Sequence, residues 1–299
     1  MNAGAKLSVV VVSFNEAPLL ERCLRSLAQQ EGECELIVVR DSARMTADIA
    51  RVRAEFARFA WLEAPARSTV PAMRTVGIEQ SSGDVIALTE DDCIVSTDWC
   101  ARLRQAHDAQ KAVAIGGPVQ PGDFSRALDW GVFFCEYARF MPPYAGIVRA
   151  LAGNNMSYKR VAIDQLKASE KIASGFYEVF VNSSLQQSGH ELYAEESLAV
   201  SNNNSWSWSN VTTVPYNHGR GFAGSRFSSL TKRLPYLGVS LLLPALQTLR
   251  VCRQVISRKR HLVPLVRALP VIALFWSSWS VGEFMGYLLG PGRSLEEWR

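Results

Sequence analysis

Residues 7–116 alternate short β-branched runs with amphipathic stretches, and few folds accommodate that pattern. Leu7 to Ser13 is a nearly continuous apolar run and reads as a strand buried on both faces. Ala17 to Gln30 carries Leu19, Leu20, Cys23, Leu24 and Leu27 as a helical stripe. Further strands are predicted at 36–39, 61–62, 84–89 and 113–115. Helices are predicted at 44–58, with Ile49, Val52 and Phe56 on one side, and at 70–80. Pro71 falls in the first turn of the second of these, where its missing N–H costs little. Thr97 is expected to cap a further helix ending near Ala109. Strand and helix in alternation predict an α/β fold, an open and mostly parallel sheet flanked by helices.

Beyond residue 118 the pattern loosens. Residues 119–225 hold aromatic segments (Trp130, Phe133, Phe134, Tyr137), a turn at Gly153-Asn154-Asn155, and a polar stretch from Ser201 to Asn210. Gly116-Gly117-Pro118 is too short for a phosphate loop and predicts close backbone packing. Residues 226–299 are apolar and helical in character, so the chain is divided here into 1–225 and 226–299. With 48% hydrophobic and 20% charged residues, the sequence excludes a largely disordered chain. A net charge of +4 gives no case for nucleic acid as a partner. The six cysteines, at 23, 34, 93, 100, 135 and 252, form no CxxC and read as reduced thiols of a cytosolic protein. The start, MNAGAKLSVVVVSFNE, has too short an apolar run for a signal peptide, so the catalytic part is expected in the cytosol. His107 and His190 read as exposed residues of a helix or turn.

In an open parallel sheet, ligands sit beyond the carboxyl ends of the strands. Three polar clusters fall there: Ser13-Phe14-Asn15-Glu16, Arg40-Asp41-Ser42 and Glu90-Asp91-Asp92. Three adjacent acids after a buried strand repel one another. A divalent cation relieves that cost, and carboxylate oxygens suit Mg²⁺ or Mn²⁺ carrying a diphosphate. Such an ion stabilises a departing diphosphate as a Lewis acid. The plainer reading is a solvated acidic turn ahead of the Thr97 cap.

The runs SVVVVSFNEAPLLERCLRSL, ELIVVRDS and VPAMRTVGIEQSSGDVIALTEDDC resemble the family 2 glycosyltransferases, whose fold is GT-A. IGGPV, LAGNNMSYKR, GFYEVF and YNHGRGFAG agree, and the resemblance covers residues 7–225. It implies a nucleotide-sugar donor and a metal-dependent, inverting transfer. By resemblance Ser13, Asn15 and Glu16 meet the nucleotide, Arg74 lies near the diphosphate, and Asp91 belongs to the nucleotide-sugar site. Asp41 stands beside the position of an acid that faces the base; Arg40 occupies that position, a departure. Glu90-Asp91-Asp92 matches the family's Asp-x-Asp motif with Glu first, and Asp92 is the expected direct metal ligand with Glu90 beside it. Asn202 aligns with a late histidine ligand, a second departure.

An inverting transfer needs a base for the acceptor hydroxyl. Resemblance points to Glu178; its plainer reading is a helix-N-terminal acid favoured by the macrodipole. Asn154 and Asn155 are expected at the donor sugar or acceptor, or else in an ordinary turn. Arg220 is expected near the diphosphate, or else on the surface. Trp206 and Trp208 suit either sugar stacking or packing at the sheet edge.

Leu262 to Gly290 is long enough to cross a bilayer, whereas Tyr236 to Leu249 is short for it. Arg250, Arg253, Arg258, Lys259, Arg260 and His261 form a basic connector that suits anionic headgroups, with Trp276, Trp279 and Tyr287 at an interface. The alternative is an amphipathic pair packed on the protein. The expected enzyme is a hexosyltransferase at the cytoplasmic face of the cell membrane, acting in polysaccharide biosynthesis on a glycan or lipid-linked acceptor. The alternatives are a non-catalytic nucleotide-sugar or glycan-binding module, supported by Arg40 and Asn202, and a nucleotidyltransferase, which lacks a lysine-bearing phosphate loop.

Overall fold

The structure is a computed structural model that describes residues 6–30, 34–168, 175–204, 206–226 and 230–297. The first residues of the chain, Met1 to Ala5, and Ser205 of the Trp206 segment therefore lie outside the described residues.

The elements follow in order. First come β1 (Leu7–Ser13), α1 (Ala17–Ala28), β2 (Glu35–Asp41), α2 (Ala47–Glu55), β3 (Ala60–Ala64), α3 (Val70–Gln80) and β4 (Val85–Glu90). Then come β5 (Cys93–Val95), α4 (Trp99–Ala109), β6 (Ala114–Gly116), β7 (Val119–Pro121), α5 (Ala127–Tyr137), β8 (Gly146–Val148) and β9 (Asn155–Lys159). They continue with α6 (Arg160–Ala168), α7 (Glu178–Gln187), β10 (Leu192–Ala194), β11 (Val200–Asn202), α8 (Trp208–Arg226), α9 (Leu230–Ser240), α10 (Leu243–Ser257) and α11 (Leu262–Leu289).

Two compact units result, residues 1–122 with 140–203, and residues 123–139 with 204–299. The division expected at residue 225 is thus drawn earlier, and α5 joins the C-terminal helices. Leu128 and Val132 of α5 bury their side chains with Val211 of α8 and with Val271 and Phe275 of α11, which explains that grouping.

The first unit holds an eight-stranded sheet in the order β3-β2-β1-β4-β9-β6-β10-β8. β3, β2, β1 and β4 run parallel, as the strand–helix alternation requires. β9 is antiparallel to both β4 and β6. A smaller sheet, β5-β11-β7, sets Asn202 opposite Cys93. The core is aliphatic: Val10, Val12, Ile37, Val39, Ile86 and Leu88 from the strands meet Val70, Met73 and Ile78 of α3. At Gly116 and Gly117 a Cβ would press on backbone oxygens of Asn155 and Leu198, so the expected close packing is found.

The second unit is helical. Gly219 of α8 and Gly282 of α11 let the two helices touch backbone to backbone, since a Cβ at either would overlap the carbonyl oxygen of Trp279 or Tyr216. The glycines of the YNHGRGFAG run thus serve helix packing.

Candidate active site

β1 and β4 are neighbours in parallel register, with Val12 opposite Glu90, so the chain leaving β1 passes the acids leaving β4. Asp91 is buried there and holds that loop. Its Oδ2 accepts from Ser13 Oγ at 2.8 Å and from the Phe14 and Asn15 amides at 2.9 Å. Its Oδ1 accepts from Asn15 Nδ2 at 2.7 Å. Arg40 is buried beside it, donating from Nη1 to Ser13 Oγ at 2.6 Å, with the same nitrogen 3.8 Å from Asp91 Oδ2. Burial pushes the Asp91 carboxyl up, and these donors oppose the shift. The departure at Arg40 therefore has a structural use: it compensates a buried acid.

Arg74 lies on the buried face of α3, a helix capped by Thr69, whose hydroxyl accepts from the Ala72 amide. Its Nη1 donates to Glu178 Oε2 at 2.5 Å, and its Nη2 to Glu90 Oε1 at 2.9 Å and to the Gly153 carbonyl at 3.1 Å. One guanidinium thus joins the acid that ends β4 to the acid that starts α7. Gly153 permits this approach, because a Cβ there would lie 2.8 Å from Arg74 Nη2. Burial raises the Glu90 carboxyl, with Arg74 pulling the other way and Glu178 and Asp91 adding to the rise.

Asp92 is buried, and its partners are few. The Cys93 thiol donates to Oδ1 at 3.3 Å, and the polar side chain of Asn202 also favours the charged carboxylate. Burial, then the charges of Glu90 and Asp91, push its carboxyl up to about 8. The cause of that rise is crowded negative charge out of water, and a cation at this point would reverse it. Among the described residues no group of three or more His, Cys, Asp or Glu is placed to hold a metal. A buried carboxylate with a neutral amide near it would still suit a hard dication, since Mg²⁺ needs only one or two carboxylates from the protein. Asp92 is the carboxylate that such an ion would meet, with Asn202 near it, whereas Glu90 is turned to Arg74.

The remaining expected residues are placed as follows. Asp41 is buried, accepting from the Ala43 amide at 2.9 Å and from the Arg67 amide at 3.0 Å. Glu16 is exposed and ends the loop at the N-terminus of α1. Asn155 is buried, its amide donating to the carbonyls of Pro118 and Leu198 at 3.1 and 2.8 Å. Asn154 is 1% exposed, and neither its amide oxygen nor its nitrogen has a hydrogen-bond partner among the described residues. Arg220 belongs to the second unit, where its Nε donates to the Gly290 carbonyl at 3.2 Å. Trp206 packs in the apolar cluster of that unit, whereas Trp208 is exposed.

Two smaller expectations are corrected. His107 is buried, with Nε2 2.8 Å from Ser157 Oγ, because α4 turns Leu103, Ala106 and His107 to the same side. Asp98, not Thr97, occupies the position before α4, since Trp99 is its first residue. The sequence reading missed the Arg74 link between Glu90 and Glu178, whose residues stand 16 and 104 positions from Arg74. It missed the compensating role of Arg40 for the same reason; the signal was an arginine inside a buried strand end.

The fold has a likeness among solved structures: a mannosyltransferase from Pyrobaculum calidifontis, in complex with GDP-Man and Mn²⁺, superposes with a TM-score of 0.54 at 14% identity. That alignment covers 100% of this chain and 89% of the other. The architecture is the GT-A fold of sugar-transfer enzymes. A sequence profile, Glycosyl transferase family 2, matches residues 8–167, and the chain belongs to that family. An N-acetylglucosaminyltransferase of Rhizobium meliloti is 29% identical over 172 residues, 54% of this chain and 40% of the relative. A glucosyl-dolichyl phosphate glucuronosyltransferase of Haloferax volcanii is 32% identical over 94 residues, 29% of this chain and 30% of that one. This chain therefore matches less than half the length of either relative.

Proposed function

We propose that the chain is an inverting transferase. It moves a sugar from a nucleotide-diphosphate donor to a glycan or lipid-linked acceptor, with Mg²⁺ or Mn²⁺ on the diphosphate. The observation that carries the reading is Arg74, whose one guanidinium binds Glu178 and Glu90, with Asp92 buried two residues after Glu90. Asp92, with Asn202 next to it, would hold the cation. When bound, that ion supplies Lewis-acid stabilisation of the departing diphosphate.

The other steps belong to side chains. Glu178 is the base: Arg74 fixes its Oε2, and its Oε1 accepts no hydrogen bond among the described residues. Oε1 is the atom that takes the acceptor hydroxyl proton. Attack from the face opposite the leaving group inverts the anomeric centre. The loop of Ser13, Asn15 and Glu16, held by Asp91, lines the nucleotide end, with Asp41 fixing the next strand end. Asn154, buried with both polar atoms unpartnered, offers a donor and an acceptor to sugar hydroxyls. The relatives named above, one acting on a dolichyl phosphate by its name, support an acceptor of glycan or lipid-linked type.

The second unit supports a membrane setting. α11 is long and apolar enough to span a bilayer, and α9 with α10, bent by 61°, pass the same length and composition test together. Arg250, Arg253, Lys259 and Arg260 are exposed at the connector and favour the anionic cytoplasmic leaflet.

A screen of nucleotide sugars with Mn²⁺ by thermal shift tests the site. One donor raises the unfolding midpoint, and both EDTA and Asp92→Asn abolish the rise while circular dichroism stays unchanged. An equal rise in Asp92→Asn, or no rise with any donor, contradicts the reading.

A further inference from the structure

Cys34 and Cys100 meet at the amino ends of the strands, the opposite end of the sheet from the transfer site. Cys34 immediately precedes β2, and Cys100 is the second residue of α4. The Cys100 thiol donates to the sulfur of Cys34 at 3.7 Å. Gln30 fixes the pair: its Oε1 accepts from the Cys100 amide at 2.8 Å, and its Nε2 donates to the Ser96 carbonyl at 2.7 Å. Cys34 is half-buried and lines a cavity of about 760 Å³ with Lys6, Arg58 and Arg104, so small solutes reach it. Cys100 is buried behind it.

We infer that Cys34 and Cys100 form a dithiol that a hydroperoxide converts to a disulfide, with Cys34 oxidised first. The Cys100 hydrogen bond and the Arg104 charge lower the Cys34 thiol against the effect of burial, and Cys100 is raised in turn. Arg104 therefore stabilises the thiolate at the sulfur that faces the cavity. The other thiols of the first unit, Cys23 and Cys93, are fully buried and are raised further by Asp92.

The chemistry balances in two steps. The Cys34 thiolate attacks the peroxide; an S–O bond forms, the O–O bond breaks, and the departing oxygen takes a proton to leave as water or alcohol. Cys34 is then a sulfenic acid. The sulfur of Cys100 attacks it; the S–S bond forms, the S–O bond breaks, and the oxygen leaves as water with the Cys100 proton. Two thiols are oxidised and one peroxide is reduced. The bond ties residues 66 positions apart, joining the segment before β2 to α4.

The test exposes the folded full-length chain to hydrogen peroxide at a low molar excess, followed by alkylation, digestion and mass spectrometry. The expected result is two fewer free thiols and a Cys34–Cys100 cross-linked peptide that dithiothreitol reverses. Cys34→Ser keeps Cys100 reduced and alkylatable after unfolding at that dose, and Cys100→Ser accumulates a dimedone adduct on Cys34. Oxidation that starts at Cys135 or Cys252, or a Cys100 that stays fully alkylatable after Cys34 has reacted, overturns the inference. Cys100→Ala replaces Cys100→Ser if the serine variant unfolds, with the same adduct expected.

Discussion

Asp91 accepts four hydrogen bonds from Ser13 at the end of β1 and the two residues after it, although the acids on either side of it face other groups. Glu90 turns to Arg74, and Asp92 meets Asn202. The acidic run itself was legible in the sequence, where it carried the expectation of a cation. The different use of each acid was not, because the deciding partners lie far along the chain: Ser13 is 78 positions from Asp91. Removing Asp91 leaves a hydroxyl, two backbone amides and the Asn15 side-chain amide without their acceptor and uncovers the Arg40 charge. Asp91→Ala is therefore expected to lose roughly 3 kcal/mol or more of unfolding free energy, measured by urea denaturation. A loss within error would show that the loop is held by other contacts.

At the scale of elements, β1, β2 and β4 follow the sequence closely, because buried parallel strands are apolar runs that stand out from polar turns. β5 escaped notice since three residues carry no readable period, and the antiparallel run of β9 depends on pairing that no local pattern encodes. α2 begins at Ala47 rather than at 44, where the Thr46 hydroxyl accepts from the Ile49 amide. In α4, His107 gives a pH signature. Ser157 Oγ donates to the Ile115 carbonyl at 2.7 Å, so it accepts from His107 Nε2–H, and Nδ1 has no partner among the described residues. Burial drives this imidazole down to about 3. The folded chain thus keeps His107 neutral while the unfolded chain takes up a proton below its ordinary value near 6.5. Its contribution is complete above pH 6.5 and falls as pH drops from there towards 3, by at most on the order of 5 kcal/mol. The wild type minus His107→Gln difference in unfolding free energy should decline across that window; a flat difference would mean that His107 protonates freely when folded.

For the whole molecule, the two compact units were only partly legible. Apolar residues marked the C-terminal region, but α5 joins it through contacts to α8 and α11 that lie far ahead in sequence. Exposed Leu241, Leu242, Leu246, Val263 and Val266 beside exposed arginines give that unit a surface suited to a bilayer. The full chain is expected to co-sediment with vesicles containing anionic lipid. Alanine at Arg253, Lys259 and Arg260 should weaken partition at least tenfold, at about 1 kcal/mol per charge. Protein that stays in the supernatant at low salt speaks against a membrane setting. The transfer reaction itself is tested most directly by nuclear magnetic resonance of the product's anomeric proton, with wild type and Glu178→Gln compared under Mn²⁺ and the donor found by the thermal screen. The account predicts a product inverted relative to the donor, and a kcat lowered on the order of 10²–10⁴-fold in Glu178→Gln with its fold intact. A product of retained configuration, or wild-type turnover in Glu178→Gln, would contradict it.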